Sequence, residues 1–269
     1  MGAPPPSKIT NRLVRWRLLH SPPHDGPDNM ALDEALMDRA RRTGETVLRT
    51  YTWSTPTLSL GRNQHARGLY DLAAVHEAGI VAIRRPTGGR ALLHHHEITY
   101  SVTAPIHVDE SGARVYAHIN ILLVNALALL GVPVEVAAAS QPAAPPTTRP
   151  CFAEPARGEL VHEGRKLVAS AQWRDDGALL QHGSMLVEDD QRSIAALTTT
   201  PSAPVPAPAT LRGILGRAPL AAEVHAALGV ALAGITGVEA DELDDDGSLM
   251  DRARELAVRY RDAAWTWRR

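Results

Sequence analysis

Cysteine is nearly missing from this 269-residue chain: Cys151 is its one thiol. No internal disulfide can form, which fits a reducing compartment. Phenylalanine also occurs once and aromatics make up 4% of the chain, so the core has to rest on Leu, Val, Ile and Ala. An excess of one charge is lacking as well. The formal net charge is −2 and no basic stripe appears, which argues against bulk binding to nucleic acid by counterion release. The longest apolar stretch, Ile119 to Gly131, contains Asn120 and Asn125 and is too short to span a bilayer. Met1 to Lys8 holds no apolar signal segment, and Pro6 stands where a myristoylation motif needs Ser or Thr. No Gly-x-Ser-x-Gly elbow and no Walker loop occurs. The expectation is a cytoplasmic protein with no membrane and no nucleic-acid partner.

What is present is 44% hydrophobic and 22% charged, the balance of a globular protein with a sizeable core. Residues 1–11, with three prolines, read as disordered, and 12–269 as one domain without internal repeats. Asp28 is placed to cap a helix from Asn29 to about Arg42, with Leu32, Ala35, Leu36 and Ala40 inward and Asp33, Arg39, Arg41 and Arg42 mostly toward water. Strands are predicted at 13–19, 46–53, 57–60, 80–84, 90–94, 98–104 and 134–136, and a short helix at 71–78. Val115 to Leu130 is apolar nearly all round and reads as a buried helix. Two Pro-rich loops, 138–150 and 198–210, bracket a strand pair at 166–173 and 178–187 turned by Asp175-Asp176-Gly177. Helices are predicted at 219–233 and 247–262, and the acidic run Asp241 to Asp246 reads as a solvated turn. Strands and helices mix without strict alternation, so the fold class is α+β, with mostly antiparallel strands and flanking helices.

Arg84-Arg85-Pro86-Thr87-Gly88-Gly89-Arg90 lies between two strand-like runs. Paired glycines permit positive φ and close approach of a ligand to free N–H groups, and they also fit an ordinary turn with solvated arginines. Cys151 ends a polar Pro-rich loop, where a thiol can be a nucleophile, although free cysteine is often just a small buried hydrophobe. Lys166 opens the small-residue strand Leu167-Val168-Ala169-Ser170-Ala171. It can point across a site or stand exposed at the strand end. Gly183, in Gln181-His182-Gly183-Ser184, marks close approach of a backbone or a ligand. In His94-His95-His96 the first and third rings would share a face, yet no third ligand stands at a recognised spacing, so no metal site is expected.

Five segments in order resemble the lipoyl/octanoyl transferase and lipoate–protein ligase family, whose fold is shared with biotin–protein ligases. They are Asn29–Ala35, Ser59–Gln64, Arg84–Arg90 with His94, Gly164–Gln172 and Leu180–Ser184. The resemblance implies a single catalytic domain with its core at about 35–240. Cys151-Phe152 upstream of the lysine strand, and Glu97-Ile98-Thr99-Tyr100-Ser101-Val102 after the glycine turn, resemble the octanoyltransferase branch. By that resemblance Cys151 is the acyl-thioester nucleophile, and Lys166 lowers its pKa and engages the acyl carbonyl. Arg85, Thr87, Gly88, Gly89, Arg90, His94, Ser170, Ala171, His182 and Gly183 bind substrate, and Leu167 and Leu180 are expected to line an acyl tunnel.

The implied donor is octanoyl–acyl carrier protein, which brings its own phosphopantetheine. The implied acceptor is a lipoyl-domain protein, the glycine cleavage H protein or an E2 subunit. No resident cofactor is expected, and a monomer is. ATP enters only in the alternative reading as an ATP-dependent lipoate–protein ligase, and a non-catalytic acyl- or biotin-binding paralogue is a further alternative. Too few residues follow the core for the ligases' extra C-terminal domain. Three positions depart from the family pattern: Ala169 for Gly, His95 for Asp, and Gly158-Glu159 before the lysine strand.

Overall fold

The computed structural model describes residues 15–106, 111–138, 150–200, 205–243 and 246–269. The predicted disordered segment 1–11 and most of the first Pro-rich loop lie outside them. In chain order the elements are β1 (Trp16–His20), α1 (Gly26–Thr43), β2 (Thr46–Tyr51), β3 (Thr57–Leu60), α2 (Leu72–Glu77), β4 (Val81–Arg84), β5 (Leu92–His94) and β6 (Glu97–Pro105). There follow α3 (Gly112–Leu129), β7 (Glu135–Val136), β8 (Leu160–His162), β9 (Arg165–Asp175), β10 (Ala178–Leu186), α4 (Leu211–Leu215), α5 (Ala221–Thr236), β11 (Asp241–Glu242), α6 (Gly247–Arg261) and α7 (Ala263–Thr266).

Eight strands form the main sheet in the order β11-β1-β2-β6-β10-β9-β8-β7, and β4-β3-β5 form a small second sheet. The β2–β6–β10–β9–β8–β7 ladder is antiparallel throughout, and β1 pairs in parallel with β2 and β11. This is the predicted α+β class. Two-residue hairpin turns set the register around the lysine strand. Asp176 and Gly177 join β9 to β10, and Glu163 and Gly164 join β8 to β9, all four at positive φ as a type I′ turn requires.

Strand alternation divides the core. On β6, Ile98, Tyr100 and Val102 enter the large apolar cluster shared with α3 and α5. Glu97, Thr99, Ser101 and Thr103 alternate with them and are buried. A second cluster packs α1 against α6 through Leu32, Leu36, Leu249 and Leu256.

Several expectations are corrected. α1 begins at Gly26, and its cap is Asp25, whose Oδ1 accepts from the Asp28 N–H at 2.9 Å. Pro27, lacking an N–H, fits the first turn. Asp33 does not face water; it is fully buried, because Arg49 on β2 meets it. The helix α3 is not buried all round. Ile119, Leu122, Leu123, Ala126 and Leu127 face the core while Ile121 and Leu129 are exposed. By length and composition alone this helix could cross a membrane, but that inward face packs against α5 and the sheet. Asp241–Glu242 is exposed as expected, but it forms a short strand beside β1 rather than a turn. Leu167 and Leu180 are sealed in packed clusters and line no open space.

Candidate active site

The Gly88-Gly89 turn connects β4 to β5, and Arg84 and Arg85 are internal braces, not solvated flanks. Arg84 is fully buried and donates to the carbonyls of Gly61 (2.6 Å), Gln64 (2.8 Å) and Thr266 (2.8 Å). Burial and the neighbouring Arg268, Arg269 and Arg85 bring its pKa down to about 10. Arg85 donates to the carbonyls of Ser59 (2.9 Å), Gly88 (2.7 Å) and Arg90 (2.7 Å), which shapes the turn from inside. The glycines are needed because backbones cross here. Gly89 has φ +96°, and a Cβ on Gly61 would lie 2.0 Å from the Gly89 carbonyl oxygen. Gly88, Gly89 and Arg90 remain at the surface, with Arg90 at 4.0 Å from Glu154.

Behind the turn lies a polar core. Thr87 Oγ1 and His182 Nε2 are 2.7 Å apart, and His182 Nδ1 lies 3.1 Å from Asp33 Oδ2. Asp33 also accepts from Arg49 Nη1 (2.8 Å), Tyr51 Oη (2.9 Å) and Ser101 Oγ (2.8 Å). Burial raises the Asp33 carboxyl, but these donors, led by His182, outweigh it and leave its pKa below the ordinary range. Burial lowers the His182 pKa against the pull of Asp33, so the ring is neutral and links Asp33 to Thr87. A parallel set holds β5: His94 Nδ1 lies 2.6 Å from Glu97 Oε1, His94 Nε2 lies 2.8 Å from Ser59 Oγ, and Trp53 stacks on the His94 ring. Glu97 Oε1 accepts further from Thr99 and Ser184, while its Oε2 is buried without a hydrogen-bond partner.

Ala91, between the turn and β5, ties Cys151 to the turn. The Cys151 N–H donates to the Ala91 carbonyl at 2.8 Å, which starts a 3-10 turn, Cys151–Ala153. Cys151 is half-buried against an apolar cluster of Leu92, Phe152, Ala169 and Leu186, so the cysteine has an apolar flank that its polar sequence context hides. Lys166, fifteen residues on, is buried rather than exposed at a strand end. Its Nζ donates to the Cys151 carbonyl oxygen at 2.5 Å and lies 2.6 Å from Glu159 Oε2. A register shift between Leu160 and Val161 sits opposite Lys166, the kind of bulge that re-aims a side chain. Glu159 also accepts from the Ala156 N–H at 2.6 Å. Burial pushes the Glu159 carboxyl up and Lys166 pulls it back, with burial prevailing.

Ser170 and Ala171 lie partly exposed on β9, and Ser170 Oγ is 2.7 Å from Tyr100 Oη. Gly183 faces Ser170 across the ladder, and a Cβ there would lie 2.5 Å from the Ala169 carbonyl oxygen. His94 and His96 do not share a face. His94 turns inward, while His95 and His96 lie exposed with their rings 3.8 Å apart. Among the described residues, His95, His96 and Asp190 place ligand atoms within 4.8 Å of one another and could hold a cation.

The family model for the lipoyl protein ligase A/B catalytic domain matches residues 25–232. The chain belongs to that family. Among curated relatives, the octanoyltransferase LipM of Kyrpidia tusciae is 37% identical over 96% of this chain and all of its own length. The octanoyltransferase LipM of Moorella thermoacetica is 42% identical over 70% of each. A solved structure of a bipartite lipoate protein ligase from Thermoplasma acidophilum is similar in fold, with a TM-score of 0.74 and 22% identity over 94% of this chain and 96% of that one.

In this member of the lipoyl protein ligase A/B family, the structure gathers the five signature segments around one place. The first-helix segment supplies Asp33, the strand-end segment Gly61, the turn Thr87 to Arg90, and the last two Lys166 and His182. Sequence reasoning missed Asp33, Arg49 and Glu159. A charged residue on the apolar face of a helix was the available signal for Asp33. Glu159 was noted only as a departure before the lysine strand.

Proposed function

We propose that this protein is an octanoyltransferase that uses Cys151 as an acyl carrier between two proteins. One observation carries the reading: the only thiol belongs to a residue in direct contact with a buried lysine, beside the glycine turn. The donor is octanoyl–acyl carrier protein, with its pantetheine arm along Gly88, Gly89, Arg90, Ser170 and Ala171. Arg85, Thr87, His94, His182 and Gly183 act from below, since each is buried or packed under the turn and strands.

In the first step the Cys151 thiolate attacks the thioester carbonyl carbon. The tetrahedral oxyanion accepts from Lys166 Nζ, collapse breaks the donor's C–S bond, and the leaving thiolate takes a proton. One well-placed donor to such an oxyanion is worth about 3–4 kcal/mol. Exchange of one thioester for another is nearly isoenergetic, so the step calls for no ATP and no metal. In the second step the neutral amine of a lysine on the lipoyl-acceptor domain attacks the acyl-enzyme. The new C–N bond forms, the C–S bond to Cys151 breaks and the amine's extra proton leaves. Amide formation from a thioester is downhill. The octanoyl chain lies against Leu92, Phe152 and Ala169, beside Cys151, where each buried methylene contributes about 0.8 kcal/mol.

The acceptor is the glycine cleavage H protein or an E2 lipoyl domain, and the reaction takes place in the cytoplasm with the protein as a monomer. The test is transfer without nucleotide. Octanoyl–acyl carrier protein, apo acceptor domain and enzyme should give an acceptor heavier by one octanoyl group without ATP. Labelling that strictly requires ATP and free octanoate would instead mark a ligase, and no labelling under either condition would mark a binding paralogue.

A further inference from the structure

The chain contains two lysines, Lys8 and Lys166, within a Lys+Arg total of 28. The one at the site is buried, and a buried ammonium persists only when paired. Glu159 is that partner, at 2.6 Å. Its carboxylate is itself fixed, accepting from the Ala156 N–H, while its backbone N–H donates to Ala156 and its carbonyl accepts from Ala137. An ammonium has three N–H donors. Glu159 and the Cys151 carbonyl occupy two of them, and tetrahedral geometry then fixes the direction of the third.

We propose that Glu159 is a positioning residue for the transfer: it keeps Lys166 protonated inside the protein and orients its one remaining N–H for the acyl oxygen. This rests on the octanoyltransferase reading. Other charged and titratable groups near the pair are Arg90, Arg85, Tyr116 on α3 and Cys151 itself. Arg85 and Arg90 are cationic and disfavour the ammonium, and Tyr116, raised by burial, stays neutral. Glu159 is therefore the anion that holds the proton on Lys166.

Single-turnover acylation by octanoyl–acyl carrier protein should follow a bell-shaped pH profile. Its base limb reports loss of the cationic donor that faces the acyl oxygen. In Glu159→Gln the ammonium loses its opposite charge, and the base limb should move to lower pH by about 1–3 units. Saturation with donor at low pH should remain near wild type, because Glu159 does not touch substrate. In Glu159→Asp the charge is kept but retracted by one methylene, so the limb should move by less than in the Gln variant. A second readout does not depend on turnover: amine-directed acetylation at pH 7, read by peptide mass, should label Lys166 faster in Glu159→Gln than in wild type.

A folded Gln variant with its base limb in place and its rate uniformly reduced would overturn the proposal. So would Lys166 labelling unchanged from wild type. Should the Gln variant fail to fold, an undisplaced limb in Glu159→Asp overturns it instead. Wild-type protein that never acylates Cys151 would refute the octanoyltransferase reading itself, a result distinct from any of these.

Discussion

Replacing Asp33 by asparagine removes one charge from the centre of the polar core while keeping the side chain's shape. Asp33 and Arg49 are both fully buried and 2.8 Å apart. Arg49 would keep neutral acceptors, Ser21 Oγ at 2.8 Å and Asn29 Oδ1 at 2.8 Å, but no anion. Breaking one side of a buried pair costs about 3–5 kcal/mol, a large part of a typical total of about 5–15 kcal/mol. With a urea m-value of about 2–3 kcal/mol/M, the unfolding midpoint should fall by about 1–2.5 M at unchanged m. The double variant Asp33→Asn with Arg49→Met should regain part of that loss, because it leaves no orphaned charge. Acid adds a second signature. The folded pKa of Asp33 lies below its ordinary 3.8, so its stabilisation is complete above that value and is lost as pH falls through the folded one. His182, lowered from 6.5 by burial, acts in the same direction at higher pH: below 6.5 the unfolded ring takes a proton that the folded ring refuses. Wild-type stability should therefore fall on acidification in two stages, and Asp33→Asn should lose part of the lower one, the rest belonging to Glu45, Glu223 and Asp246, whose carboxyls their hydrogen-bond donors also hold low. A midpoint shift under ~0.3 M, or an unchanged acid limb, would refute the ion-pair account.

Lys166→Met should slow acylation of Cys151 by about 10²–10³-fold in quench-flow, the usual loss for one oxyanion donor; a loss under tenfold would remove Lys166 from the chemistry. Gly89→Ala should destabilise by about 1–3 kcal/mol in urea unfolding, because φ is +96° and the new Cβ would sit 2.8 Å from Arg85 Nη2. A neutral result would show that the turn is not braced from below. Gly183→Ala places a Cβ 2.5 Å from the Ala169 carbonyl oxygen, so amide exchange along the β9–β10 ladder should accelerate while that of α5 stays slow. Exchange along β9–β10 unchanged from wild type would contradict that close approach.

What the sequence made legible followed local rules. The Asp175-Asp176-Gly177 turn, the 3.6-residue periodicity of α1 and the strand at 98–104 are written in neighbouring residues, and the mixing of such segments without strict alternation points to the α+β class. The five signatures converge on the candidate site. What it hid was pairing across distance. Asp33 looked solvent-facing because its partner, Arg49, is sixteen residues away on another element. The arginines of the glycine turn looked solvated because the carbonyls they satisfy come from β3, the Gly61–Gln64 bend and α7. The Glu163-Gly164 turn carries φ > 0 on a glutamate, a weak sequence signal, so the β8–β9 hairpin behind Lys166 and Glu159 went unread. The resemblance implies an acyl tunnel lined by Leu167 and Leu180, and side-chain direction puts both in the sealed core.

The account's central claim is a thioester on the only sulfhydryl. Intact mass after mixing wild-type protein with octanoyl–acyl carrier protein, without nucleotide, should rise by one octanoyl group, and hydroxylamine should return it to the starting mass. Cys151→Ala should show no adduct. An unchanged wild-type mass, or an adduct that survives hydroxylamine or persists in Cys151→Ala, would contradict it.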